Sequence, residues 1–287
     1  MKFQAYVSVD NGEFVPSMAT DAYRLEREEN GERYLVRVMA KRALKSIKFR
    51  LECDFDYDGK VAFVNGYQSW TPSKEYCKTD KMLPLSKWCK ALEPFVHSSA
   101  YGDYKFARYS KKAGYFHSFS YGYVSKGGDS DVFLIGSLNE RTGYTIIYYD
   151  MNKSKLIIEK DLEGLSLEEN QRYEVMDICL IEGAYDDAFD KYFELLNVAK
   201  PKIGHQNGYT SWYNYYQNIS ENIIARDLDN LSKLVENVDI FQIDDGFQTA
   251  VGDWLSIDSK KFPNGMKAVV DNIHSKNMKA GLWLAPF

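Results

Sequence analysis

The chain has 287 residues, 45% of them hydrophobic and 27% charged, a balance that is typical of a globular protein with a sizeable core. Its net charge of −5 argues against a nucleic acid or an anionic membrane as partner. The sequence begins without a secretory apolar segment and contains no apolar run of membrane-spanning length. Its four cysteines follow no paired spacing, so we expect free thiols and a cytoplasmic location.

Residues 1 to 183 show a hydrophobic period of two, which predicts β-strands. In SIKFRLECDFDYDG (46–59) apolar side chains alternate with charged ones, so we expect a half-buried strand with Cys53 on its core face. An Asp-Gly turn follows, and VAFV (61–64) is expected to return as the second strand of a hairpin. Further strands are predicted at 34–40, 131–137, 144–150, 155–161 and 173–183. Short strands separated by turn residues predict a large antiparallel β-sandwich.

The hydrophobic period changes near residue 184. Residues 184–200 place apolar side chains on one helical face before Pro201, which predicts a connecting helix. The side chains on this face are Phe189, Tyr192, Phe193 and Leu196. Strands are then predicted at 207–216, 238–245 and 278–287, with helices at 220–237 and 265–277 between them and Ser220 as the first helix's N-cap. This alternation predicts a parallel α/β sheet or the start of a (β/α)₈ barrel.

The ends of these three predicted strands carry carboxylates and aromatic rings. The side chains are Ser211, Trp212 and Tyr213 after the first strand, Asp244 and Asp245 after the second, Trp254 in the loop that follows, and Trp283 after the third. In a barrel, the carboxyl ends of the strands share one rim. Carboxylates that accept hydroxyl hydrogen bonds, beside rings that stack on C–H faces, suit a neutral sugar. We therefore predict a sugar site at this rim, although a plain Asp-Gly turn is the alternative for Asp244 and Asp245.

Five motifs in this sequence resemble, in order and spacing, those of the family 36 glycoside hydrolases, the α-galactosidases. They are NGYQSWTP (65–72), NGYTSWYNYY (207–216), DIFQIDDGFQ (239–248), GDWLSID (252–258) and GLWLAPF (281–287). The resemblance implies a multidomain β plus α/β protein: a β-supersandwich over 1–183, a connecting helix over 184–200, and the first three βα units of a (β/α)₈ TIM barrel over 201–287. It implies retaining hydrolysis of terminal α-D-galactosyl residues in melibiose or raffinose-type oligosaccharides, with no cofactor and no metal.

The same resemblance assigns binding roles to the aromatic residues. Trp212 and Tyr213 match the aromatic pair after the first barrel strand, and Trp283 matches the pocket tryptophan after the third. Trp70 matches a tryptophan that the sandwich domain contributes to the pocket rim. Trp254 lies in the matching Gly-Asp-Trp motif, so we expect its ring to wall the pocket.

By the resemblance, Asp244 and Asp245 match paired aspartates that hydrogen-bond the galactose hydroxyls at positions 4 and 6. Adjacent strand residues face opposite sides, so the two are poor candidates for a retaining pair, whose carboxyl groups lie roughly 5–5.5 Å apart. The family's nucleophile ends the fourth strand, two residues after a lysine, and its acid/base lies near the sixth strand. We therefore expect the catalytic residues after Phe287, which would make this chain the N-terminal portion of a longer hydrolase. We also expect no turnover by these 287 residues alone.

Two alternatives to an α-galactosidase stay open. A raffinose-synthase-like α-galactosyltransferase would share this pocket, and a non-catalytic galactoside-binding or assembly module would use the sandwich domain. The resemblance also leaves room for a homo-oligomer formed through that domain.

DFDYDG (54–59) matches the opening of a calcium loop, but the twelfth position of that loop is Asn65 rather than a glutamate. We therefore interpret these acids as the solvent face of a strand.

Overall fold

The computed structural model describes residues 2–17, 20–68, 71–96, 109–128, 130–199 and 201–285. The chain divides into two compact units, Met1–Val198 and Ala199–Phe287. The first unit is rich in β-strands, and the second alternates strands with helices. Within the described ranges, no helix combines the length and the apolar character needed to cross a bilayer.

The first unit contains two antiparallel sheets. One has six strands, in the spatial order β2-β1-β5-β12-β11-β8: β1 (Gln4–Ser8), β2 (Val15–Pro16), β5 (Lys48–Asp54), β8 (Tyr115–Phe119), β11 (Tyr144–Asp150) and β12 (Lys155–Asp161). The other has seven, in the order β3-β4-β13-β10-β9-β6-β7: β3 (Tyr23–Asn30), β4 (Arg33–Ala40), β6 (Val61–Val64), β7 (Lys74–Tyr76), β9 (Tyr121–Ser125), β10 (Val132–Ser137) and β13 (Arg172–Gly183). Two short helices, α1 (Lys87–Ala91) and α2 (Glu93–Val96), follow β7.

Alternation along β5 sorts its side chains between core and solvent, as the sequence predicts. Phe49 and Leu51 are fully buried in a cluster to which both sheets contribute, and Cys53 lies beside them. Each such apolar side chain stabilises the fold by roughly 1.5–3 kcal/mol. Burial raises the pKa of the Cys53 thiol to about 12, so the thiol stays protonated and inert. On the other face, Arg50 pairs with Glu159 of β12 at 2.7 Å.

The predicted hairpin between β5 and β6 is wrong, because the two strands belong to different sheets. β5 pairs with β1 and β12, whereas β6 pairs with β7 and β9. Phe55 and Tyr57 remain buried beyond the end of β5, and the Tyr57 hydroxyl donates to the Lys155 carbonyl at 3.1 Å. The chain thus crosses between the sheets along buried side chains before it turns at Gly59, whose φ is +63°.

Helix α3 (Tyr185–Leu196) follows β13 and packs on the seven-stranded sheet. The Tyr192 hydroxyl donates to the Ser137 carbonyl at 3.0 Å, and its ring lies against Gly136, where a Cβ would come within 2.4 Å of the ring. Of the predicted apolar face, Tyr192 is buried, but Phe193 is 58% exposed. The helix ends at Asn197, which adopts a left-handed conformation.

The second unit has a parallel three-stranded sheet. In spatial and chain order its strands are β14 (Gly208–Thr210), β15 (Ile240–Ile243) and β16 (Lys279–Leu282). The helices are α4 (Trp212–Tyr215), α5 (Glu221–Leu234) and α6 (Gly265–Ser275). Buried side chains of α5 and α6 cluster with those of β15: Ile224, Leu228, Val269 and Ile273 with Phe241 and Ile243. This strand–helix order is the one predicted.

Two details of the second unit bear on the sequence predictions. Ser220 is the N-cap of α5, as predicted, and its Oγ accepts from the Ile223 N–H. The strand predicted over 207–216 is wrong beyond Thr210, because the chain turns into α4 at Ser211. There, the Tyr215 N–H donates to the Ser211 carbonyl, so local helical hydrogen bonds override the β-propensity of the aromatic residues.

Candidate substrate site

Asp244 and Asp245 directly follow β15, the middle strand of the parallel sheet, and each is only 7% exposed. The chain turns sharply behind them at Gly246, whose φ is +108°. A Cβ at Gly246 would lie 2.5 Å from the Gln217 carbonyl oxygen, so only glycine fits both this conformation and this contact. The turn at Gly246 therefore lies in close contact with Gln217, in the segment after α4, at the strand end that carries the two carboxylates.

Asp244 is fixed by groups from two neighbouring strands. Its Oδ2 accepts from Thr210 Oγ1 at 2.8 Å and from Gln242 Nε2 at 3.0 Å. Its backbone N–H donates to Ser211 Oγ at 3.0 Å, and its Oδ1 accepts from the Asp245 N–H at 2.9 Å. The carboxylate thus has one orientation, set by the end of β14 and by β15 itself.

Asp245 is held by two amide side chains. Its Oδ2 accepts from Gln217 Nε2 at 2.7 Å, and its Oδ1 accepts from Gln248 Nε2 at 2.5 Å. Gln248 also accepts from the Gly246 N–H at 3.1 Å, which closes a ring of contacts within the turn. Burial raises the pKa of Asp245, but the bonds from Gln248, Gln217 and Gly246, with the charge of Lys261, outweigh it, and the pKa is lowered below 3.8.

The two carboxylates retain capacity for a ligand. A carboxylate offers about four acceptor positions. The hydrogen bonds described above occupy three of these positions on Asp244 and two on Asp245, and their donors are neutral. A hydroxyl or amide donor can fill an open acceptor position on such a carboxylate, because a hydrogen bond to a charged group contributes about 1.5–3 kcal/mol. The arrangement suits hydroxyl recognition.

The aromatic residues of the predicted site occupy different settings. Trp254 and Trp283 are in edge-to-face contact, with ring centroids 5.7 Å apart. The backbone N–H of Trp283 donates to the Ile243 carbonyl, which extends the pairing of β16 with β15. Trp212 is in edge-to-face contact with Tyr216, at 5.2 Å. Tyr213 is 84% exposed. Trp70 lies outside the described residues.

Several polar residues of this site were not singled out from the sequence. They are Thr210, Gln217, Gln242, Gln248 and Lys261. A usable signal exists for Gln242, because a residue two positions before Asp244 on a strand shares its face. Gln217 and Lys261 lie in irregular segments, whose sequence carries no periodic pattern that would bring them to Asp245.

The calcium-loop match at 54–59 begins at Asp54, the last residue of β5, and ends in the turn at Gly59. Asp54 pairs with Lys155 at 2.7 Å, and Asp56 Oδ1 accepts from the Asp58 N–H at 3.0 Å. Across the described part of the chain, no group of three or more His, Cys, Asp or Glu side chains is placed to hold a metal ion. These acids are therefore engaged in an ion pair and a turn.

Comparison with known proteins finds a sequence match within the second unit. Residues 208–287 match the melibiase family. The α-galactosidase Mel36A of Lactobacillus acidophilus is 31% identical over 83 residues, which are 26% of this chain and 11% of that protein.

Solved structures extend the similarity over both units. The α-galactosidase TtGalA of Thermus thermophilus, solved in complex with stachyose, matches with a TM-score of 0.62 and 23% identity, covering 92% of this chain and 52% of that one. The family 36 α-galactosidase AgaA of Geobacillus stearothermophilus matches with a TM-score of 0.54 and 11% identity, covering 99% of this chain and 46% of that one. At these identities the likeness is one of fold, and the chain spans about half the length of either structure.

The motif resemblance is thus confirmed by two independent comparisons, one of sequence and one of fold. Residues 208–287 match the melibiase family model, and the chain as a whole has a fold similar to that of the family 36 α-galactosidases.

Proposed function

We propose that this chain is the galactose-binding portion of a retaining α-galactosidase that removes terminal α-D-galactosyl residues from melibiose or raffinose-type oligosaccharides. The observation that carries the proposal is the pair of buried carboxylates at the end of β15, each held by neutral donors. The melibiase match over residues 208–287 supports it. TtGalA, similar in fold, has been solved with stachyose, a galactoside of the same class.

In this proposal Asp244 and Asp245 accept hydrogen bonds from the sugar hydroxyls at positions 4 and 6. The axial 4-hydroxyl distinguishes galactose from glucose, and fixed acceptors detect its direction because a misplaced hydroxyl leaves a buried carboxylate unpaired. The rings of Trp212, Trp254 and Trp283 supply faces for the C–H groups of the sugar. The sugar is therefore oriented by two carboxylates and bounded by aromatic rings.

In this proposal, residues other than Asp244 and Asp245 break the glycosidic bond. A retaining glycosidase needs one carboxylate as nucleophile and one carboxylic acid as proton donor, roughly 5–5.5 Å apart across the glycosidic bond. Asp245 has a lowered pKa and does not suit the proton donor, whose pKa is raised. The nucleophile and the acid/base are expected in residues after Phe287, and the 287-residue chain alone is expected to show no turnover of a nitrophenyl α-galactoside.

We also propose how the two units are built. The two antiparallel sheets would form a β-supersandwich over residues 1–183, with a connecting helix over 184–200. The parallel sheet would supply the first three βα units of a (β/α)₈ barrel over 201–287. Its support is the order of the strands in each sheet and the fold similarity to α-galactosidases.

Calorimetric titration with D-galactose tests the proposed function. The wild-type chain should bind galactose more tightly than glucose, and Asp244→Asn or Asp245→Asn should each weaken galactose binding about 10- to 100-fold, since a hydrogen bond to a charged group is worth about 1.5–3 kcal/mol. Asp271→Asn is the matched control, because Asp271 is exposed on α6 and pairs with Lys267. Galactose binding that is insensitive to both site substitutions would locate the sugar on the first unit and overturn the proposal.

A further inference from the structure

We propose that Lys261 is a positioning residue of this pocket: it fastens the segment after α4 to the turn after β15 and thereby holds Asp245 in the orientation in which it accepts a sugar hydroxyl. The inference rests on the proposed function for the identity of the ligand. The hydrogen bonds by which Lys261 joins the two segments do not depend on a ligand, so this part of the inference can be tested in the ligand-free chain.

The Lys261 ammonium group joins two backbone carbonyls from different segments. Its Nζ donates to the Gln217 carbonyl at 2.9 Å and to the Gly246 carbonyl at 2.8 Å. Within the described residues it forms no ion pair with a carboxylate at 4.0 Å or less. An ammonium group has three donors and no acceptor, so two carbonyls that approach each other are a natural site for it. Lys261 therefore acts as a bridge between segments rather than as a surface charge.

The backbone of Lys261 is itself anchored. Its carbonyl accepts from the Glu221 N–H at 2.9 Å, at the start of α5, and its N–H donates to the Asp258 carbonyl at 3.1 Å. The next residue, Phe262, is 1% exposed and belongs to the core of the second unit. The ammonium group is thus presented from a rigid base, which is what a positioning residue requires.

Both segments that Lys261 joins also hold Asp245. Gln217 supplies the amide that donates to Asp245 Oδ2, and Gly246 is bonded to Gln248, which supplies the amide that donates to Asp245 Oδ1. The segment after α4 also needs support, because Tyr216 adopts φ +49° and ψ −130°, a sparsely populated conformation for a residue with a side chain. Loss of the bridge would release both holders of Asp245 together.

Hydrogen exchange measures the fastening in the ligand-free chain. In Lys261→Met, the backbone amides of residues 215–218 and 244–248 should exchange roughly tenfold faster than in wild type, and both segments should change together. Lys261→Arg, which keeps the charge and the donors, should restore most of the protection. Lys267→Met is the matched control, because that lysine side chain is 85% exposed on α6. If Lys261→Met does not fold, Lys261→Gln takes its place in the same comparison.

Galactose titration then links the fastening to recognition. Lys261→Met should raise the Kd for galactose about tenfold and reduce the preference for galactose over glucose, while Lys261→Arg recovers both. Unchanged exchange in the two segments, or faster exchange with unchanged affinity and unchanged preference, would overturn the inference. If the wild-type chain binds no galactose, the proposed function fails, and the exchange result alone decides whether Lys261 fastens the two segments.

Discussion

Gln242 and Asp244 lie two residues apart along β15 and its end, and Gln242 Nε2 donates to Asp244 Oδ2 at 3.0 Å. They can meet because alternate residues of an extended chain share a face. The same oxygen accepts from Thr210, the last residue of β14, so two parallel strands fix one carboxylate at their shared end. A site built on strand ends in this way is more rigid than one built on loops.

Thr210→Val is expected to raise the Kd for galactose about fivefold to tenfold. Valine has nearly the same shape as threonine but cannot donate, so Asp244 Oδ2 keeps only the bond from Gln242 and gains rotational freedom. Calorimetry measures the affinity, and Ser232→Ala, which removes an exposed hydroxyl from α5, is the control. An affinity equal to that of wild type would mean that Thr210 does not position Asp244.

Gly246→Ala is expected to destabilise the second unit more than Gly252→Ala does. Both glycines have a positive φ, +108° at Gly246 and +93° at Gly252, but a Cβ at Gly246 would lie 2.5 Å from the Gln217 carbonyl oxygen, whereas the space at Gly252 is open. The difference between the two variants should be about 1–3 kcal/mol in the free energy of unfolding, the usual cost of overpacking. Urea unfolding followed by tryptophan fluorescence measures it, and equal losses would contradict the close contact with Gln217.

The sequence predicts local features well and long-range pairing poorly. The alternation in β5 identifies its buried face, because the period of a strand is a property of consecutive residues. Its pairing partners are β1 and β12, and β12 begins a hundred residues later, which no local pattern encodes. The hairpin with β6 was wrong for this reason: a turn signal at Gly59 fixes where the chain bends, not which sheet it enters.

The candidate site shows the same difference between local features, which the sequence predicts, and long-range contacts, which it does not. Asp244 and Asp245 can be placed at a strand end from the apolar run before them and the glycine after them. Gln217 and Lys261 could not be predicted, because they reach Asp245 and Gly246 from irregular segments 28 and 15 residues away in the chain. Their contribution becomes visible only when the packing of the segments is known.

In Lys160→Met, the stability of the first unit is expected to increase less steeply with pH than in wild type. Lys160 is fully buried, donates to the Asn139 carbonyl and to Thr145 Oγ1, and lies 3.7 Å from Glu140. Burial lowers its pKa despite that carboxylate, so between the lowered folded pKa and the ordinary value of 10.5 the unfolded chain binds more protons than the folded one, and stability increases as the pH rises through that window.

Urea midpoints measured from pH 7 to pH 10 test this expectation. The midpoint should rise less with pH in Lys160→Met than in wild type, whereas Lys153→Met, at an exposed position, should follow wild type. An equal or steeper rise in Lys160→Met would contradict the lowered pKa.

Asp245 is expected to titrate below pH 3.8, and Gln248→Met should move its pKa upward. Burial alone would raise the pKa, but the bonds from Gln248, Gln217 and Gly246, with the charge of Lys261, favour the ionised form and lower it. Because the folded pKa is lower than the unfolded one, the stabilisation is complete above the unfolded value and is lost as the pH falls through the folded value. Galactose, bound by the ionised carboxylate, should therefore remain bound at pH 4.

Carbon-13 detection of the carboxyl groups gives the pKa of Asp245 directly. Wild type should titrate below 3.8, Gln248→Met higher, and Gln4→Met, at an exposed position of β1, as wild type does. Titration of wild-type Asp245 at 3.8 or above would mean that the donors do not outweigh burial. In that event the carboxylate would lose its charge in the range where galactose is expected to stay bound, and the affinity at pH 4 would fall with it.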